Sequence, residues 1–96
     1  MEIMLTIIER KMLKLLKAID MQQTIVDKRY EDRLYPYEVT LMFREYNQEI
    51  KSLIDDINEI EVQAIHEHKD SIMFECEGKK AKLINEMTIL TYKYDM

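Results

Sequence analysis

The chain predicts an α+β fold, an antiparallel hairpin of two long helices followed by a small antiparallel β-meander of three to four strands. Three observations point there. Apolar residues recur at three- and four-residue steps through about residue 60, a short segment holding the only proline interrupts them once, and beyond Glu61 the apolar period drops toward two. The division expected within this single domain is 1–60 for the hairpin and 61–96 for the meander.

The first helix is read from Met4 to about Leu34. Leu5, Ile8, Met12, Leu15, Ile19 and Val26 keep alternating steps of three and four, with Gln22 at the skipped position and Leu16 widening the band. About 30 residues at about 1.5 Å each make a rod near 45 Å, longer than a compact domain with a radius of gyration of about 13 Å accommodates. Such a helix has to protrude or find a partner. Ile3, Ile7, Ala18, Met21 and Ile25 form a second stripe roughly opposite the first, so two faces of the helix call for cover.

The break falls at Arg33-Leu34-Tyr35-Pro36-Tyr37-Glu38. Pro36 holds Tyr35 in extended geometry and suits the first residue of a new helix, and Glu38 in the first turn favours the same start through the helix dipole. From there Val39, Phe43, Tyr46, Ile50, Leu53, Ile57, Ile60 and Ala64 keep a four-three heptad spacing, flanked by Met42 and Ile54. The connection is short, which makes the two helices an antiparallel pair.

Beyond Glu61, Val62, Ala64 and His66 alternate with Glu61, Gln63, Ile65 and Glu67, and Ile72, Phe74 and Cys76 alternate with Met73, Glu75 and Glu77. The second set predicts a strand. Glu77-Gly78-Lys79-Lys80 holds the only glycine and predicts a hairpin turn, and Ile89 to Tyr94, rich in β-branched and aromatic residues, predicts a further strand. Ala64 fits the heptad as well as a strand. A three-strand sheet covers one side of a helical pair at most, so a homodimer through the helices is the expected way to bury the remaining stripe.

Composition narrows the function classes. The 96 residues, 47% apolar and 34% charged with one Gly and one Pro, suit one ordered domain. A net charge of −5 argues against a general phosphate-binding surface. One cysteine, Cys76, leaves no intrachain disulfide and fits a reducing compartment, and charged residues interrupt the apolar start before it could span a bilayer. No basic, small-residue-terminated secretory leader is visible, so the expected location is cytoplasmic, with no membrane contact. The abundance of Ile, Lys, Met and Tyr over Ala and Gly reflects AT-rich codons and suggests a gene of a low-GC bacterium or its phage.

Among candidate sites, His66-Glu67-His68 with Asp70, Glu75 and Cys76 nearby is the only cluster of metal-ligand residue types. Two imidazoles at i and i+2 of a strand suit one Zn²⁺, but no second spaced pair completes the set, and no metal or other cofactor is expected. Phosphate-cradling glycine loops, CxxC pairs and a nucleophile-base set are lacking, so no catalytic residue is assigned and no enzyme activity is expected. Cys76 alternates with Ile72 and Phe74 and is read as a small buried hydrophobe.

Partner binding is assigned to two sets. Arg33, Tyr35 and Tyr37, beside Arg29 and Tyr30, bring the residue types of interface hot spots to the tip of the helical hairpin. Asp55, Asp56 and Glu59, with Glu38, Glu45 and Glu49, place carboxylates on the second helix, Asp55, Asp56 and Glu59 toward the C-terminal end where the helix dipole disfavours them, as an acidic surface for a basic partner. The expected function is a small acidic regulator or inhibitor of phage or mobile-element type, which binds another protein and masks its surface. A nucleic-acid-associated regulator is the alternative, contacting phosphate through the Arg29 to Arg33 tip and through Lys79, Lys80 and Lys82 at the sheet hairpin.

Overall fold

A computed structural model describes residues 2–32 and 34–96. Three helices of similar length lie side by side: α1 (Glu2–Arg29), α2 (Tyr37–His66) and α3 (Asp70–Tyr94). No strand occurs among the described residues. The expected β-meander is therefore replaced by the last turn of α2 and the whole of α3, and the fold is all-α.

The first two helices follow their apolar spacing. Every buried residue of α1 belongs to the stripe Leu5, Ile8, Met12, Leu15, Ile19 and Val26. In α2 the heptad residues Val39, Phe43, Ile50, Leu53, Ile57, Ile60 and Ala64 are buried, while Tyr46 is half-buried. The first helix ends at Arg29, earlier than expected. Pro36 stands just outside α2 as its N-cap, with extended φ −66° and ψ 161°, and its carbonyl accepts from the amides of Val39 and Thr40 at 3.0 and 3.4 Å.

In α3 the buried residues Ile72, Cys76, Leu83, Leu90 and Tyr94 are spaced four, seven, seven and four apart. This is a helical seam with gaps. Lys80 and Glu86, half-buried, stand in the gaps and are satisfied by neighbours: Lys80 Nζ donates to Asn58 Oδ1 and Glu61 Oε1, both at 2.9 Å, and Gln23 Nε2 donates to Glu86 Oε1 at 3.3 Å. The Ile72-Phe74-Cys76 alternation mixes two seam residues with an exposed Phe74, and the tertiary packing overrides the β propensity of Ile89 to Tyr94. Gly78 lies inside α3 with a negative φ, so it forms no turn.

Contacts between elements set their directions. Asn58 and Glu61 meet Lys80 while Asn47 meets Thr91, so α2 and α3 run antiparallel. Gln23 meets Glu86 and Asp27 meets Lys93, so α3 runs parallel to α1. The up-down-up bundle measures 51 × 20 × 16 Å. Length is thereby accommodated within one chain, because three long helices cover one another along a shared core and no partner is needed for the principal stripe of α1. The stripe of Ile3, Ile7, Met21 and Ile25 stays exposed.

The α2 to α3 turn closes over three residues. His68 takes φ 56°, and the amides of His68 and Lys69 donate to the carbonyls of Ile65 and Ala64 at 3.2 and 2.9 Å. The left-handed residue after the helix end satisfies the last carbonyls, a position that usually takes glycine.

Candidate functional site

The end of the bundle that holds the α1 to α2 connection and the C-terminus of α3 is built from aromatic residues. Phe43 and Tyr94 stack with ring centroids 3.9 Å apart, Tyr35 tilts onto Tyr94 at 4.8 Å, and Tyr30 meets Tyr35 edge-on at 6.3 Å. Pro36 directs the chain into α2 and brings Tyr35 back across the end of α3. The Tyr35 hydroxyl donates to Asp27 Oδ1 at 3.0 Å, and Lys93 Nζ donates to Asp27 Oδ2 at 2.7 Å and Gln23 Oε1 at 3.3 Å. One carboxylate thus ties the loop and α3 to α1.

Over this cluster lies an open groove of about 720 Å³, walled by Tyr30, Leu34, Tyr35, Pro36, Tyr37 and Tyr94 with Thr40, Arg44, Lys93 and Asp95 at its polar edge. A second groove of about 660 Å³, lined by Thr88, Ile89, Tyr92 and Lys93, adjoins it through Lys93. Tyr37 and Leu34 are 66% and 75% exposed. Arg44 is exposed and forms no ion pair among the described residues, so its guanidinium has donors to offer.

The residues expected to bind a partner separate into two places. Tyr35 is half-buried in the aromatic cluster, Tyr37 stands at the groove wall, and Arg33 lies outside the described residues. Asp55, Asp56 and Glu59 are exposed on α2, roughly 27 Å along the helix from Tyr37 at about 1.5 Å per residue. The structure does not bring the tyrosines and the carboxylates together. Arg44, Thr40, Lys93 and Tyr94 were not singled out by sequence reasoning. Arg44 sits seven residues after Tyr37, on the same face, and the spacing held that signal; Lys93 and Tyr94 became visible only with α3.

His66 is the last residue of α2 and His68 occupies the turn, so the two imidazoles do not share the strand face that a common Zn²⁺ would need. Among the described residues no group of three or more His, Cys, Asp and Glu side chains is placed to hold a metal. Lys79, Lys80 and Lys82 lie within α3 and not at a hairpin tip, and Lys80 is engaged by Glu61. Cys76 is fully buried; burial first, then the Glu61 carboxylate, pushes its thiol up against the opposing pull of Lys80. Its sulfur is held as the unreactive thiol. Among the described residues no helix is long and apolar enough to cross a membrane.

Compared with known families, curated proteins and solved structures, the chain matches no family model, no curated protein and no solved structure.

Proposed function

We propose that this chain is a non-enzymatic interaction module that binds another protein at its aromatic tip. The observation that carries the proposal is the groove itself: tyrosine walls on a rigid helical end, with an unpaired Arg44 at the rim. Tyr and Arg dominate binding energy where they form a well-packed, partly desolvated surface, and here the stack of Phe43, Tyr94 and Tyr35 fixes the wall before a partner arrives. The partner segment suited to it places an aliphatic or aromatic side chain among the tyrosines and a carboxylate or backbone carbonyl on Arg44. Small size and the AT-rich coding bias support a regulator that masks a surface on a host protein, of the kind phages and mobile elements encode.

The test compares proteins captured from nuclease-treated low-GC bacterial lysate by the wild-type chain and by the double variant Tyr37→Ala, Arg44→Ala. A specific partner is expected to fall at least tenfold with the variant, the effect of losing about 1.4 kcal/mol or more. A captured set unchanged by the substitutions overturns the tip as the binding surface. Retention of nucleic acid alone from a parallel untreated lysate, with no protein captured after nuclease treatment, overturns protein masking.

A further inference from the structure

The side of the rod made by α1 and α2 is divided by chemistry into two halves. On α1, Ile3, Ile7, Met21 and Ile25 are 78%, 46%, 57% and 55% exposed, and Arg10 and Lys14 occupy the positions between them at the same helical spacing. On α2, exposed Leu41, Glu45, Asp55 and Glu59 follow the same rule, with Asp56 beside them. Both stripes face away from α3. The third helix is held by Asn47, Asn58 and Glu61 of α2 and by Gln23 and Asp27 of α1, whereas Lys11, Leu15, Ser52 and Asp56 border a separate groove between α1 and α2. None of these Arg10, Lys14, Glu45, Asp55, Asp56 and Glu59 charges forms an ion pair among the described residues.

We infer that this side is the seat of a second copy of the chain, related by a two-fold axis parallel to the rod, so that α1 of each copy lies along α2 of the other. Charge selects this arrangement. A two-fold axis perpendicular to the rod would set α1 on α1 and α2 on α2, basic on basic and acidic on acidic, which opposes association. A parallel axis keeps heights along the rod unchanged. Because Lys11 and Leu15 share a groove with Ser52 and Asp56, Arg10 and Lys14 then stand within about a turn of Asp55, Asp56 and Glu59 of the second copy, and Ile25 stands level with its Leu41.

The available area is sufficient. Whichever of the two shorter extents is its width, a side of a rod measuring 51 × 20 × 16 Å offers on the order of 800 to 1,000 Å², against about 800 Å² per partner in a standard stable interface. The chain also exposes 6847 Å² of surface, roughly 900 Å² more than the ~5,900 Å² expected of a compact monomer of 11.7 kDa. That excess is about what one such interface covers.

Sedimentation equilibrium with three full-length proteins tests the inference. The wild type is expected to show twice the 11.7 kDa mass at about 100 µM in low salt and to dissociate at high salt. The variant Arg10→Glu, Lys14→Glu and the variant Asp55→Lys, Asp56→Lys, Glu59→Lys are each expected to be monomers with unchanged helical circular dichroism, their dimer dissociation constants raised at least tenfold. Mixing the two variants is expected to restore a 1:1 dimer, because each contact regains opposite charges. A monomeric wild type, a charge-reversed variant that still dimerises, or a mixture that stays monomeric overturns the inference. All five substitutions lie away from the tip groove, so loss of dimerisation and loss of partner capture are read separately.

Discussion

Tyr94 is the residue on which the tip depends, and its hydroxyl is its weak point. The ring is 3% exposed and stacked on Phe43, yet the buried hydroxyl has no hydrogen-bond partner. A buried, unsatisfied donor costs about 1–3 kcal/mol, so Tyr94→Phe is expected to stabilise the protein at neutral pH by about 1 kcal/mol in urea unfolding. Burial first, then the Asp27 carboxylate and Tyr35, raises the phenol above its ordinary pKa of 10.0. The folded state therefore holds the proton more tightly than the unfolded chain does. Its contribution is intact below pH 10 and is lost progressively as the pH rises through the folded value, and the stability difference between Tyr94→Phe and wild type should widen above pH 10. A difference that stays constant through the alkaline range would show that Tyr94 does not titrate on unfolding. Cys76 makes a second residue-scale case: with its sulfur buried and its ionisation opposed, alkylation by iodoacetamide at pH 8 should proceed only as fast as the protein opens, and should become rapid in denaturant.

At the scale of elements, the distribution of glycine explains both the failure to read α3 and a way to stabilise it. The left-handed position that ends α2 holds His68, so the sequence carries no glycine stop signal there; the one glycine, Gly78, sits mid-helix, where it imitates a hairpin turn. A Cβ at Gly78 would meet nothing within 4 Å. Gly78→Ala is expected to add about 0.5–1 kcal/mol by helix propensity, and His68→Gly about 1 kcal/mol by relieving the left-handed strain. The two sites share no contact in the structure, so the gains should add, to a melting temperature several degrees higher. A destabilised His68→Gly would mean that its imidazole holds the turn. The seams of α1 and α2 were legible because each is an unbroken run of apolar side chains on one face. That of α3 was not, because Lys80 and Glu86 occupy seam positions and are satisfied by Asn58, Glu61 and Gln23, residues distant in sequence. The same cause hid half of the tip: Tyr35 and Tyr37 stand out beside the only proline, while Lys93 and Tyr94 join them only once the third helix returns to that end. Replacing Lys80 by Ala tests the polar seam directly. It strands the half-buried Glu61, one of whose carboxylate oxygens already lacks a partner, and should cost about 1–3 kcal/mol, of which Glu61→Gln in the same chain recovers part.

For the whole molecule, shape separates the two surfaces that the elements leave open. The Cα radius of gyration, 15.4 Å, exceeds the about 13 Å of a compact domain of this length because three helices of 25 to 30 residues lie side by side without folding back. A rod has a long side and two ends, and association through each leaves a different outline. Copies joined along α1 and α2 thicken the particle and leave its longest dimension near 51 Å. Copies joined through the aromatic tips would extend it toward twice 51 Å with little change in cross-section. Small-angle scattering on the dimeric fraction reads this difference directly. The expected result is a cross-section that grows while the maximum dimension stays close to that of the Arg10→Glu, Lys14→Glu monomer, leaving the two tip grooves side by side at one end and free for a partner. A dimer of doubled length would instead assign the tip to self-association, and Tyr37 and Arg44 would then have to be tested as dimer contacts and not as partner contacts.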